Sequence, residues 1–516
     1  MTTVPTTGRE TFAIRHRLPV LVPVLVGLAS AGLFLQAYAT NPARPGASSR
    51  FPLGWWGWWD QSQYLLSARA LAHFDFASDQ HWYPFGYALV GAPFSVLLPL
   101  HGFLLPDLIC YLACYLAFLG FARAVAVGPA WAALLFLLGT AGSQAIRDVW
   151  AEPWNTTLSS ALIWSLLALT ARHMTLLPSD DGMAARRRLL RLLAMGAIAG
   201  FVLITRPTDA LLVAIWAVGA GSCALRDDLL RRRDLLALLA GALLVLVPGG
   251  LLWLRIYGFG PSPYVLSSRD LGFSVAAIGW KSYLLLISPA PWFTFGAGIT
   301  QRLPWVLPGL AGMLAAPWLT RGRARQLLLL LSAMIVAYSL LFFSYVDLIP
   351  SGLWRYNNIH YFKWMLPGMA LFAFLLLRGL VFGRRRAASL ALAAVLVLYV
   401  VRWRPHPATE AEPAWMVQVA GPTPGWDEAY FAAFTIRDER GVLVSIKDFR
   451  ALPDSQGWRL IALRRPFYGS LLIAGLGHTP DGPVPPVWAE AGTKRWGRSF
   501  GVRLPCWLSR CVTLSP

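Results

Sequence analysis

The chain has 516 residues, 56% of them hydrophobic and only 14% charged, with a formal net charge of +20 and a mean hydropathy of +0.53. A soluble fold has no interior large enough to hide that much apolar surface, so the composition points to a polytopic membrane protein. The positive charge is no nucleic-acid footprint: it falls in short runs between apolar stretches, at Arg186 to Arg188, Arg231 to Arg233, Arg321/Arg323/Arg325 and Arg384 to Arg386, the pattern expected of cytoplasmic loops.

In chain order, Arg9, Arg15 and Arg17 precede an apolar stretch from Leu18 to Thr40. Ala37-Tyr38-Ala39 would suit signal-peptide cleavage, but the stretch matches the roughly 20 residues of a full crossing, and an uncleaved anchor is expected. The basic flank puts the N-terminus inside and the loop 41–83 outside. Of the three acids in this loop, Asp60 stands among Trp55, Trp56, Trp58 and Trp59, while Asp75 and Asp79 lie beyond, at the far end of the helix expected next. A short amphipathic helix is expected from Gln61 to His73, and Tyr83-Pro84-Phe85-Gly86-Tyr87 then turns the chain back into lipid. An acid held at a membrane face is a functional candidate. Two plainer roles compete: Asp60 as N-cap of the helix starting at Gln61, and the tryptophans as an interfacial belt.

Apolar runs near 18–40, 84–104, 105–127, 129–146, 154–174, 189–205, 208–225, 235–256, 303–320, 326–349, 359–383 and 387–403 are read as membrane helices, because backbone in lipid must satisfy itself. An inside N-terminus and an outside tail need an odd number of crossings. The Pro- and Gly-broken segment from Tyr83 to Leu100 is therefore expected to be re-entrant or merged with its neighbour, leaving about 11 spans.

On the outer side, Arg147, Asp148 and Glu152 share a short turn. Two acids beside an arginine could orient a divalent cation or an acceptor hydroxyl; equally, they could form a salt-bridged turn with Glu152 at the positive end of the next helix dipole. No spacing in the chain suits a tightly held ion. Basic residues also fall outside, against the positive-inside tendency: Arg206 in Thr205-Arg206-Pro207-Thr208-Asp209, Arg255, Arg269, Lys281, Arg302, Arg355 and Lys363, with His360 nearby. Phosphate binding is a reason to place them there, and snorkelling to head groups is the alternative for any one of them.

After Arg404 the apolar runs shorten to strand length, so a membrane module over 1–403 is expected to be followed by a small β-rich extracytoplasmic domain over 404–516. Cys506 and Cys511 in this tail could close a small disulfide loop or remain two free thiols. Cys110, Cys114 and Cys223 lie in apolar spans, and no zinc spacing appears. His406 and His478 read as isolated surface residues. No G-x-S-x-G, Walker A or H-E-x-x-H pattern occurs, which leaves serine hydrolases, P-loop ATPases and zincins without support.

The order of these parts resembles the GT-C superfamily of polytopic glycosyltransferases, in particular the branch with protein O-mannosyltransferases and aminoarabinose transferases. The resemblance rests on the acid after the first span (Asp60), the helix Gln61 to His73, the loop residues Tyr64, Tyr83, Pro84 and Tyr87, the TRPTD segment and the run from His360 to Leu371, over roughly the first 400 residues. Relatives often pair two acids where this chain has Asp60-Gln61, and many have two prolines where it has Pro84. The resemblance implies an all-α membrane bundle that moves a sugar from a polyprenyl-phosphate donor to a lipid, glycan or protein acceptor outside a bacterial inner or plasma membrane. It also implies inversion, Asp60 as general base, and leaving-phosphate contacts drawn from Arg206, Lys281, Arg355, Lys363 and His360. It requires no nucleic acid and leaves a divalent cation open. Two rivals remain. A lipid or sugar transporter would place charges inside spans and often show an internal repeat, which is not visible here. An O-antigen polymerase or ligase would use outer arginine and histidine without needing Asp60.

Overall fold

The structure is a computed structural model; it describes residues 7–49, 52–175, 182–226, 232–273, 275, 278–289, 297–345, 348, 353–354, 357–381 and 385–397 and, beyond these, only short strands between 416 and 491. The helices in order are α1 (Thr7–Thr40), α2 (Trp59–Ala72), α3 (Gly86–Leu97), α4 (Leu104–Ala124), α5 (Pro129–Ala141), α6 (Gln144–Ala151), α7 (Asn155–Thr175), α8 (Gly182–Thr205), α9 (Ala210–Arg226), α10 (Arg232–Tyr257), α11 (Pro263–Leu271), α12 (Ile278–Leu286), α13 (Ile299–Arg302), α14 (Val306–Leu319), α15 (Gly322–Ser344), α16 (Leu366–Val381) and α17 (Arg385–Val397). Among the described residues, six helical stretches are long and apolar enough to cross a bilayer: Leu21–Thr40, Leu104–Ala124, Gly182–Thr205, Arg233–Tyr257, Gly322–Ser344 and Asn358–Val381. Helices α5 and α6, bent by 86°, would make a seventh if they form one broken span. With the composition, this defines a multi-pass integral membrane protein.

The chain forms two compact units. The first comprises Met1–Asp270, Trp305–Ser339 and Ile359–Leu392. Its interior is aromatic: Trp164 is fully buried, takes edge contacts from Phe118 at 5.0 Å and Phe121 at 5.6 Å, and donates its Nε1–H to the Trp364 carbonyl at 2.9 Å. Helices α8 and α10 cross closely, because a Cβ on Gly196 would come within 1.9 Å of the Leu238 carbonyl and one on Gly241 within 1.9 Å of the Leu193 carbonyl. The Arg188–Asp234 ion pair, 2.6 Å, ties the same two helices. The rest of α10 turns Leu235, Leu239, Leu243, Val247 and Leu251 outward, an apolar stripe at helical spacing suited to lipid. The crossing matters for function because α8 ends at Thr205, next to Arg206, and α10 ends at Tyr257, and both Arg206 and Tyr257 hold the candidate site.

The run read as one span over 129–146 is broken. Ser143 takes extended backbone and its hydroxyl accepts from the Ile146 amide at 3.3 Å, capping α6 as a new helix.

The second unit comprises Leu271–Pro304, Leu340–Asn358 and Ala393–Pro516. In it the buried Lys281 donates to the Tyr345 carbonyl, Thr300 bonds the Leu286 carbonyl at 2.6 Å, and Arg302 lies 4.8 Å over the Trp354 ring. Strand Met416–Ala420 pairs antiparallel with Gly457–Ala462, which pairs on its other edge with Phe449–Asp454. Gly469–Ala474 lies between Thr435–Arg437 and Val487–Ala491, also antiparallel. Cys506 and Cys511 lie outside the described residues.

Candidate active site

The site grows from the first loop. Helix α2 begins at Trp59, with Trp58 in the capping position and no side-chain cap, so Asp60 sits inside the first turn and not at the N-cap. A negative charge is still favoured there by the helix dipole, but the carboxylate has another use: it accepts a short hydrogen bond from the Tyr83 phenol, 23 residues on. The buried face of α2, Gln61, Tyr64, Leu65, Ala68 and Leu71, repeats every three or four residues as a packed helix must. Half-buried Asp60 lies at its edge. Trp58 and Trp59 are exposed, as an interfacial belt would have them, whereas Trp55 is 1% exposed and belongs to the interior.

The returning segment is pinned at several points. His81, fully buried, bridges the Ser67 hydroxyl at 2.7 Å and the Asp75 carbonyl at 2.9 Å. Burial holds its pKa below the ordinary histidine value, and a neutral ring would donate from Nε2 and accept at Nδ1. The Tyr257 hydroxyl donates to the carbonyls of His81 at 2.7 Å and Tyr83 at 3.1 Å. Gly86 then meets the end of α8, where an added Cβ would lie 2.6 Å from Thr205 Oγ1 and 2.7 Å from its Cα. Only glycine allows this approach, which brings the Tyr83 to Tyr87 run against the TRPTD segment.

Above that contact stands a ladder of tyrosines: Tyr64 to Tyr83 at 4.5 Å, Tyr83 to Tyr264 at 4.8 Å, and Tyr64 edge-on to Tyr87 at 5.2 Å. Burial, reinforced by neighbouring phenols and by the Asp60 charge, pushes Tyr83 well above its usual pKa, so it remains an O–H donor to Asp60. Burial and Asp60 push Tyr64 the same way. Arg206, 3% exposed, donates to the Tyr338 hydroxyl at 2.6 Å, pairs with Asp209 at 3.3 Å and lies 5.0 Å over the Tyr361 ring. Asp209 is held in turn by the Ser159 hydroxyl. The Gly86 contact with Thr205 sets the run that bears Tyr83, the donor to Asp60, beside Arg206, the residue after Thr205.

The other candidates are placed differently. Arg147 donates to the Ala141 carbonyl at 2.8 Å and to Gln144 at 2.5 Å, while Gln144 donates to Asp148 at 2.7 Å. Glu152 turns inward, 2% exposed, accepting from Asn41 Nδ2 and from Trp154 Nε1, each at 3.0 Å. The structure therefore sets Glu152 apart from Arg147 and Asp148, which share Gln144 as a partner, and among the described residues Arg147 forms no ion pair with either acid. His360 stacks on Trp154 at 3.7 Å and bonds Thr156 at 3.2 Å. Lys363, fully buried, donates to the Val149 carbonyl at 2.8 Å and Thr157 at 2.7 Å and lies 5.0 Å from the Trp150 ring centre. Pro84 is buried in the loop. Lys281 is in the second unit, and Arg355 lies outside the described residues. No three His, Cys, Asp or Glu side chains come together to hold a metal among the described residues.

Sequence reasoning passed over Asp107, Tyr264 and Tyr338, and assigned no role to Asp209 and Tyr361 within the TRPTD segment and the run from His360 to Leu371. Asp107 carried a signal, being an acid inside an apolar run; the tyrosines carried none, since they meet Asp60 and Arg206 only through the fold.

The fold and site are those of a polytopic membrane protein with an acid-and-arginine aromatic centre. No protein-family model matches the chain, and no curated protein matches it. Among solved structures it is similar to ArnT from Cupriavidus metallidurans bound to undecaprenyl phosphate, with 14% identity and a TM-score of 0.47 over 77% of this chain and 68% of that one. It is also similar to the Archaeoglobus fulgidus oligosaccharyltransferase tethered to an acceptor peptide, with 15% identity and a TM-score of 0.42 over 74% of this chain and 53% of that one. Neither overlap reaches a TM-score of 0.5, and what this chain does has to come from its own side chains.

Proposed function

We propose that the chain is an integral membrane glycosyltransferase that moves a sugar from a polyprenyl-phosphate donor to a lipid, glycan or protein acceptor on the extracytoplasmic side. The acceptor hydroxyl oxygen attacks the anomeric carbon from the face opposite the phosphate. The bond from that carbon to the phosphate oxygen breaks, its electron pair leaves with polyprenyl phosphate, and Asp60 takes the hydroxyl proton. A single displacement inverts the anomeric centre. General-base help of this kind is worth roughly 100- to 10,000-fold. Arg206, buried like Lys363 and His360 but set beside the Tyr83 to Tyr87 run by the Gly86 contact with Thr205, is the cation assigned to the charge that grows on the leaving phosphate; Lys363 and His360, held by Thr157, Trp150, Trp154 and Thr156, are assigned to the support of the site. The observation that supports the reading is the ladder: half-buried Asp60 takes the Tyr83 hydrogen bond, Tyr83 stands against Tyr64 and Tyr264, and Gly86 of the same run meets Thr205 beside buried Arg206.

The topology belongs to the same proposal. About 11 crossings require α7 and shorter apolar helices such as Pro207–Ser222, Val306–Leu319 and Arg386–Leu396 to cross as well. The strand-bearing tail would then fold outside as a separate module after residue 403.

The test supplies membranes containing the chain with polyprenyl-phosphate sugars and follows release of free polyprenyl phosphate, with a reporter fused after Gly46 to read sidedness. Release dependent on the chain, with an extracytoplasmic reporter, supports the reading. A cytoplasmic reporter, or no release with any such donor, overturns it.

A further inference from the structure

A second polar centre lies in the first unit and has no part in the reaction above. It is a small cleft lined by Tyr38, Trp55, Leu65, His101, Phe103 and Asp107, among others, with about 10 Å³ of enclosed space, close to what one water-sized oxygen needs. Asp107 stands in the first turn of α4, 1% exposed. Both its oxygens face one donor, the Tyr87 hydroxyl, at 2.9 and 3.1 Å. A carboxylate can accept about four hydrogen bonds, so most of its capacity is left over. Trp55, which also lines the cleft, is held in a one-turn helix, 1% exposed, with its ring 5.2 Å from Tyr38. Among the described residues its Nε1–H meets no acceptor. Tyr38 and His101 satisfy each other at 2.7 Å.

A buried indole donor without an acceptor among the described residues and a buried carboxylate with spare lone pairs, both lining one cleft, are each costly as they stand. One kind of group relieves both. It must accept from Trp55 and donate to Asp107. An ammonium cannot accept, and a phosphate, carrying negative charge, would be repelled by the carboxylate. We propose that the cleft is a binding site for a single hydroxyl oxygen, held between Trp55 Nε1 and Asp107, supplied either by an ordered water or by one hydroxyl of a sugar. Tyr87 stacks on Phe103 at 4.1 Å and takes the edge contact from Tyr64, so this oxygen would sit at the far end of the ladder that reaches Asp60. The site stands whether or not Asp60 is a base.

The test is cryo-electron microscopy of the full chain in lipid nanodiscs at a resolution that shows ordered water, for the wild type, Trp55→Phe and Asp107→Asn. A density peak within about 3.2 Å of both Trp55 Nε1 and an Asp107 oxygen is expected, lost or displaced in Trp55→Phe. Glucose titration followed by thermal midpoint separates the sources: a rise in the wild type that Trp55→Phe abolishes assigns the oxygen to a sugar hydroxyl, and a retained peak with no rise assigns it to water. An empty cleft in the wild type with and without glucose, or a peak unchanged in Trp55→Phe, overturns the proposal. If Asp107→Asn fails to fold, the Trp55→Phe comparison decides alone.

Discussion

Asp60 and Glu152 are both acids beside short helices in the same unit, and both accept hydrogen bonds from side chains far away in sequence. Their surroundings differ in kind. Glu152 is enclosed, with one oxygen taken by Asn41 and the other by the Trp154 indole, and its partner Trp154 is the ring on which His360 stacks. Asp60 is half-buried at the edge of α2, and the hydrogen bond it takes from Tyr83 lies on a ladder that the Gly86 contact with Thr205 sets beside Arg206. An enclosed acid with both oxygens engaged holds helices together; an acid at an edge can meet a proton that arrives with a substrate. The difference teaches that proximity to a membrane face does not by itself make a carboxylate catalytic.

The contrast can be broken at either end. Glu152→Gln should have the larger effect on the fold. It turns one accepting oxygen into a donor that faces Asn41 or Trp154, at a cost of about 1–3 kcal/mol. Thermal unfolding in nanodiscs should show a lower midpoint, with donor release per folded molecule nearly unchanged. A hundredfold loss of release at an unchanged midpoint would instead move Glu152 into the chemistry. Tyr83→Phe should sharpen the other end with a smaller effect. Losing the phenol donor leaves Asp60 less well oriented, and release should slow by about tenfold, the equivalent of one hydrogen bond, with the midpoint little changed. An unaltered rate would detach Tyr83 from the site.

Much of this was legible before the fold was known. A lone acid among tryptophans marked Asp60, and the TRPTD run marked Arg206, because charge next to apolar spans stands out against its background. The grouping of Arg147, Asp148 and Glu152 was less well read. Adjacency in sequence suggested one cluster, but α6 ends at Ala151 and Glu152 takes extended backbone, so its side chain leaves the helix face that carries the other two. The break at Ser143 was hidden for a related reason, since hydropathy averages over a capped turn. Tyr264 and Tyr338 were beyond reach, because residues 181 and 255 positions after Tyr83 meet this site only when the helices pack. The first turn of α2 moved two residues toward the N-terminus relative to the expected start at Gln61, which removed Asp60 from the cap and gave its carboxylate to Tyr83.

The measurement closest to the central claim is release of polyprenyl phosphate from a polyprenyl-phosphate sugar by Asp60→Asn, inserted and folded at wild-type levels. A general base accounts for a loss of roughly 100- to 10,000-fold, with the donor still bound at near wild-type concentration because Arg206 and the tyrosines are intact. Release within a few-fold of wild type would contradict the account and leave Asp60 a structural acid like Glu152.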